Sequence, residues 1–262
     1  MNAVSNANQV ILISGGTQGL GLAIANQLIA QGCTKVAITG RNPEKGKAAM
    51  AHLKAQGADA LYVQCNAASI EDCQNVVSQT IDYFGTVDGL INAAADTSRG
   101  TLLDSSPELW DRHMNINLRA PFLLMQGVAR HLVEQGKGGS IVNILSTSAH
   151  VGQSFLTAYS TSKGGLMTLT KNAANAMRHQ RIRVNAIAPG WMDTPSEDAV
   201  QKEFHGADDN WLETAEASLP MGQLVKPHQL APLAAYLLSP NSGVITGAII
   251  DYDQQIVGVM PE

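Results

Sequence analysis

The sequence is poor in several things, and each shortage excludes a class of protein. Only three of its 262 residues are cysteine: Cys33, Cys65 and Cys73. The number is odd and no Cys-x-x-Cys pair occurs, which argues against a disulfide framework and a thiolate metal site. Free, buried thiols in a reducing compartment are expected. The seven histidines show no metal-ligand spacing, so no metal is expected. Lys and Arg number 17 against 22 Asp and Glu, a formal net charge of -5, and no basic cluster appears. Nucleic-acid binding is therefore not expected. No apolar run approaches the roughly 18 residues that suggest a membrane span. Residues 1–9 are polar, without a charged start and apolar run. No signal peptide is read there, and a cytoplasmic location is expected. Charged residues make up only 15% and hydrophobic ones 45%, which suits one sizeable core rather than a disordered chain.

What is present is an alternation. Val10-Ile11-Leu12-Ile13 is a short apolar run that stops at Ser14-Gly15-Gly16, and Leu20, Ala23, Ile24, Leu28 and Ile29 follow at helical spacing. That reads as strand, glycine-rich turn, helix. The pattern then recurs. Strands are predicted at 35–39, 60–64, 87–92, 140–145, 182–188 and 244–251. Helices are predicted at 43–56, 70–84, 109–135 and 158–179, with a break near Pro121 in the longest. Strands alternating with helices imply crossover connections and a parallel sheet. The strands are continuous apolar runs, as expected when both faces are covered. The expected fold is a doubly wound α/β single domain, with a mostly parallel seven-stranded sheet and helices on both faces. Residues 191–220 break the rhythm. They are polar, acidic and long, and read as a substrate lid or mobile loop.

In an open parallel sheet, ligands bind beyond the carboxyl ends of the strands. Gly15, Gly19 and Gly21 lie there, between the first strand and the first helix. Glycines let the backbone turn tightly and approach a pyrophosphate, which the positive end of the helix favours. The end of the second strand reads Thr39-Gly40-Arg41-Asn42. It has no acid to hold a ribose 2′-hydroxyl, whereas Arg41 can pair with a 2′-phosphate. Glu44 falls inside the next helix and is a poorer candidate. NADP(H) is expected over NAD(H), with NAD(H) still possible in principle.

Tyr159 and Lys163 are four residues apart, which stacks them on one helix face. An ammonium beside a phenol favours phenolate, so Lys163 is expected to lower the Tyr159 pKa and poise it for proton transfer. Ser146, at a strand end, is placed to hydrogen-bond the same substrate oxygen.

Taken together, the chain resembles the short-chain dehydrogenase/reductase family, in its compact single-domain branch, over roughly residues 9–253. Ser14-Gly15-Gly16-Thr17-Gln18-Gly19-Leu20-Gly21 is similar to its cofactor loop. Asn92-Ala93-Ala94-Ala95 resembles its Asn-Asn-Ala-Gly segment. Asn117, Ser146 and Tyr159-Ser160-Thr161-Ser162-Lys163 match its catalytic asparagine, serine and Tyr-x-x-x-Lys. Pro189-Gly190 with Thr194-Pro195 resembles the segment that contacts the nicotinamide carboxamide.

The resemblance implies a Rossmann-type fold and a catalytic set of Asn117, Ser146, Tyr159 and Lys163. Ser146 would polarise the substrate oxygen, Tyr159 would carry the proton, and Lys163 would tune Tyr159 and hold the nicotinamide ribose. Asn117 would anchor a water that connects Lys163 to solvent. The implied cofactor contacts are Gly15, Thr17, Gln18, Gly19, Leu20, Gly21, Arg41, Asn66, Asn92, Ala93, Pro189, Gly190 and Thr194, besides Tyr159 and Lys163. Departures are Ala93 and Ala95 for Asn and Gly, Asn66 for a frequent acid, and Leu145 for a common serine. Asn66 is expected to accept from the adenine amino group.

Weaker substrate contacts are His150, Gln153 and Trp191, then Ser98 and Arg99. Trp191, Asp193, His205 and Trp211 in or beside the presumed lid would suit a sugar or polyol. His113 and His179 are expected at the surface. The family implies a homotetramer, with Ala173, Ala174 and Ala176 allowing close helix contact. The reading is an oxidoreductase moving a hydride between NADP(H) and a small-molecule carbonyl or secondary alcohol. Two alternatives stay open: an NAD-dependent sugar or polyol dehydrogenase, and a dinucleotide-binding sensor or scaffold without turnover.

Overall fold

All five residues of Val10–Ser14, which form β1, are buried. Their side chains alternate between two cores. Ile11 and Ile13 join one cluster and Leu12 the other. Val36 and Ile38 of β2 (Lys35–Gly40) divide from Ala37 in the same way. A strand covered on both faces gains about 1.5–3 kcal/mol for each large apolar side chain it buries, so polar residues are kept to its ends. The computed structural model describes residues 6–259.

Helix and strand alternate along the chain. After β1 and α1 (Gly19–Ala30) come β2, α2 (Pro43–Ala55), β3 (Asp59–Gln64), α3 (Ile70–Phe84) and β4 (Gly89–Asn92). Next are α4 (Pro107–Met114), α5 (Ala120–Glu134), β5 (Gly139–Ile144), α6 (Thr157–Met177) and β6 (Ile182–Pro189). The chain closes with α7 (Pro195–His205), α8 (Trp211–Ala217), α9 (Pro227–Leu238) and β7 (Ile249–Tyr252). The seven strands lie in the order β3-β2-β1-β4-β5-β6-β7, and every pairing is parallel. Leu20, Ile24 and Leu28 of α1, Leu53 of α2 and Leu230 of α9 fill one face. Val76 of α3, Leu124 and Val128 of α5 and Leu166 of α6 fill the other. This is the doubly wound, single-domain Rossmann-type architecture read from the sequence.

Side chains set the helix starts. Asn42, Ser69, Ser106 and Thr194 each accept a hydrogen bond from a backbone N–H in the first turn of α2, α3, α4 and α7, as N-caps do. The helix expected at 109–135 is two helices joined by a π-helical turn, Asn115–Arg119, and Pro121 sits in the first turn of the second.

Four expectations need correction. The last strand begins at Ile249, not at Val244. Gly243 and Gly247 hold left-handed φ of 58° and 71°, and the turn between them leaves Val244 94% exposed. Residues 191–220 carry two helices with a small core of their own, in which Trp211 and Ala215 meet Leu224. His113 is buried, at 1% exposure, on the inner face of α4. Its Nδ1 lies 2.9 Å from the Leu109 carbonyl oxygen. Ala174 is buried within the chain itself as well, so it offers no surface for contact with another copy. His179 is exposed, as expected.

Candidate active site

The strand order runs outward one way from β1 to β3 and the other way from β4 to β7, so it switches between β1 and β4. A cleft of about 1280 Å³ opens there, along the carboxyl edge of the sheet, where the open α/β rule places ligands. Thr17, Gln18, Gly19, Leu20, Gly21, Arg41, Ala93, Ser146, Tyr159, Lys163, Pro189, Gly190 and Thr194 all line it.

At one end the wall is mostly backbone. Gly15 has φ +76°, and a Cβ there would lie 2.6 Å from the Ala94 nitrogen. A Cβ on Gly21 would come within 2.2 Å of the Gly15 carbonyl oxygen. The loop therefore closes on itself only with glycine. Gln18, at the N-cap of α1, makes no side-chain capping bond, and the first turn holds no acid. The N–H groups of α1 thus remain open to an anion. Arg41 lines this end together with Lys45, whose ammonium donates to Gln18 Oε1 at 2.7 Å. Glycine cradle, uncapped helix and two cations fit the phosphates of a dinucleotide.

Some residues expected at this end stand back from it. The Asn66 side chain turns into its own loop, where Oδ1 accepts from the Ala68 N–H at 3.1 Å, while Cys65 and Ala67 line the cleft instead. Asn92 is buried and donates to Asn143 Oδ1 at 2.8 Å, tying β4 to β5.

At the middle of the cleft, α6 brings Tyr159 and Lys163 beside Ser146 at the end of β5. Ser148 donates to Ser146 Oγ from both its N–H (3.2 Å) and its hydroxyl (3.0 Å). That leaves the Ser146 proton free on the cleft wall that Tyr159 shares. Burial pushes the Tyr159 phenol up to about 12, against the opposing pull of the Ser146 hydrogen bond and the Arg99 charge. Lys163 does not depress it. Its ammonium lies 5.7 Å from the Tyr159 ring centre and donates to the Ile144 carbonyl at 2.8 Å. Burial pulls Lys163 itself down to about 8. The expected pairing is corrected accordingly: helical spacing brings the two together, but desolvation dominates both.

Asn117, in the π-helical turn, is fully buried. Its amide accepts from the Asp96 N–H at 2.8 Å and donates to the Asp96 carbonyl at 3.0 Å and to Ser162 Oγ at 3.1 Å. It locks the loop after β4 to the helix that carries Tyr159.

Comparison with known proteins now decides the family. The profile described as "Enoyl-(Acyl carrier protein) reductase" matches residues 15–254. The chain belongs to the short-chain dehydrogenase/reductase family. It is 33% identical to "Dehydrogenase/reductase SDR family member 4" of Oryctolagus cuniculus, over 93% of this chain and 92% of that one. It is 34% identical to a 2,5-dichloro-2,5-cyclohexadiene-1,4-diol dehydrogenase of Sphingobium indicum, over 94% and 96%. Among solved structures, it matches a variant actinorhodin polyketide ketoreductase with NADPH at TM-score 0.87 and 27% identity, over 95% and 97% of the two chains. As a short-chain dehydrogenase/reductase, it is an NAD(P)-dependent oxidoreductase of alcohol and carbonyl groups.

The far end of this short-chain dehydrogenase/reductase cleft is made of side chains. Gln153 and Trp191 line it, as do Arg99 and His205. His150 does not: it turns away to Asp251, at 2.8 Å. Asp193 is also drawn off, by Lys226 at 2.8 Å. Two residues here escaped the reading of the sequence. Asp96 sits against Arg112 at 2.9 Å. Burial works against its charge, but hydrogen bonds from Ser98 and the neighbouring His113 and Arg112 outweigh this and leave its pKa below the usual carboxylate value. Glu197 stands 3.3 Å from Arg99. The signal for Glu197 was present. Thr194-Pro195-Ser196-Glu197 has the form of a capping box with proline at the first helical position.

Proposed function

We propose that this protein catalyses reversible reduction of a carbonyl to a secondary alcohol with NADP(H), and that Tyr159 is its acid and base. The observation that carries the reading is that Ser146, oriented by two bonds from Ser148, and Tyr159 line the middle of one cleft whose other end would admit a dinucleotide phosphate. In reduction, Tyr159 donates its proton to the carbonyl oxygen while Ser146 hydrogen-bonds the same oxygen. With its pKa near 12, Tyr159 is a neutral phenol at pH 7 and holds that proton ready. The cofactor, when bound, supplies the hydride in reduction and accepts it in oxidation. Lys163, on the same face of α6, would hold the nicotinamide ribose. Asn117 keeps the Tyr159 helix in register with the loop after β4. Gly15, Gly19 and Gly21 would admit the pyrophosphate, while Arg41 and Lys45 would take a 2′-phosphate. The absence of an acid at the end of β2 supports NADP(H) over NAD(H). Helices α7 and α8 act as the lid over the substrate end.

One relative's name is that of a diol dehydrogenase, and one solved ketoreductase was determined with NADPH. Both support chemistry between alcohol and carbonyl. The test is cofactor absorbance at 340 nm with purified protein, NADPH and a panel of aldehydes and ketones. Oxidation of NADPH that depends on the carbonyl is expected. Tight binding of cofactor with no turnover on any carbonyl or alcohol would make the protein a sensor instead.

A further inference from the structure

Arg99, Glu197 and Trp191 stand at the substrate end without a part in the chemistry just described, and their bonding is one-sided. Glu197 is only 14% exposed. Three donors converge on its Oε1: Trp191 Nε1 at 2.8 Å, Gln201 Nε2 at 2.7 Å and Arg99 Nη2 at 3.3 Å. Among the described residues no donor reaches Oε2. Arg99, 12% exposed, is only partly used as well. Nε donates to His205 Nε2 at 3.4 Å, Nη1 to the Thr97 carbonyl at 2.7 Å and Nη2 to Glu197, so one proton on each terminal nitrogen stays unused. Both residues line the cleft, and both act electrostatically on the Tyr159 phenol. A buried ion pair is seldom more stable than an apolar replacement, so stability does not account for it.

Two ligand chemistries would use this spare capacity. A substrate carboxylate on Arg99 would sit beside the Glu197 charge, which three donors hold in place, and the two would repel. A hydroxyl needs no displacement: it donates to Glu197 Oε2 and accepts from Arg99 at once. Beside the pair, Trp191 is 39% exposed and stacks on Trp211 at 5.9 Å between ring centres. It offers a flat apolar face to the carbon skeleton of a hydroxylated compound.

We propose that Glu197 and Arg99 read a second hydroxyl close to the reacting carbon, so that the substrates are hydroxy ketones and the corresponding diols rather than plain ketones or oxo acids. This rests on the oxidoreductase reading above. Four probes of similar size separate the two: butanone, 1-hydroxybutan-2-one, 4-hydroxybutan-2-one and 2-oxobutanoate, each with NADPH and with NADH. Butanone would cover Glu197 Oε2 without giving it a donor, and a polar atom left without its bond in a closed site discriminates strongly. At least one hydroxy ketone is expected to exceed butanone in kcat/KM by about 10-fold or more. In Glu197→Gln the same ratio should fall toward unity. Because it is a ratio within one protein, partial unfolding of the variant does not change it. Equal kcat/KM for butanone and both hydroxy ketones in the wild type would overturn the inference and leave the oxidoreductase reading standing. Preference for 2-oxobutanoate would overturn it in favour of a carboxylate on Arg99. No turnover of any probe with either cofactor would overturn the oxidoreductase reading, and this inference with it.

Discussion

The two ends of the cleft are built from different materials. The cofactor end is backbone, with Gly15 and Gly21 packed so closely that a methyl on either meets main-chain atoms. The substrate end is side chains, with Arg99, Glu197, Trp191 and Gln201 held by one another. Backbone suits what dinucleotide cofactors share, a diphosphate; side chains suit what sets one substrate apart. Between them, Ser146 and Tyr159 are positioned by both: the Ser148 N–H from one side and the buried floor of α6 from the other.

The sharpest way to break this division is at its centre. Ser146→Ala removes one of two donors to the substrate oxygen, and kcat is expected to fall by about 10²–10³-fold. Cofactor affinity, followed by fluorescence titration, should hold. A parallel loss of both would mean that Ser146 serves the fold of the cleft rather than the chemistry. At the cofactor end, Gly15→Ala is expected to lower stability by more than about 1 kcal/mol and to weaken NADPH binding, as read by urea unfolding and by titration. Arg41→Ala should weaken NADPH by about 10-fold or more, and NADH little, because the lost partner is a phosphate. Equal losses for both cofactors would remove Arg41 from the 2′-phosphate site.

The smallest expected effect is on stability. Lys163 has its pKa pulled from 10.5 to about 8 by burial. Below pH 8 the folded chain buries an ammonium, which costs stability. Between 8 and 10.5 the folded chain holds a neutral amine while the unfolded chain keeps the proton, so the cost fades as pH rises. Lys163→Met is therefore expected to melt a few degrees above the wild type at pH 7, with the margin shrinking toward about pH 9.5. A margin that does not change with pH would show that packing, not charge, sets it.

The same two ends differ in how far they were legible in the sequence. Strands buried on both faces announce themselves as apolar runs, and glycines required at a tight turn stand out at fixed spacing. The glycine loop was therefore readable, but not that Asn66 turns to Ala68 or that Asn92 is buried against Asn143. The error at the last strand has a plain cause. Val244-Ile245-Thr246-Gly247 has the composition of a strand, but Gly243 and Gly247 take φ values that turn the chain. The substrate end was less readable, because its meaning lies in contacts across long stretches of chain. Arg99 could be marked as a candidate, yet its partner is on a helix 98 residues away. The capping box at Thr194 lies in a stretch, 191–220, whose polar and acidic composition is that of a loop. The Tyr159 environment was missed for a similar reason. Spacing shows that Lys163 shares its face, but not that the lysine is buried and bonds the Ile144 carbonyl, or that desolvation acts on both groups.

The measurement that tests the central claim most directly is steady-state turnover of Tyr159→Phe beside its cofactor affinity. The phenyl ring keeps the packing and removes the one proton the mechanism moves. A fall in kcat of about 10³-fold or more, with NADPH affinity unchanged, is the predicted result. Turnover close to the wild type would contradict the assignment of Tyr159 as the acid and base.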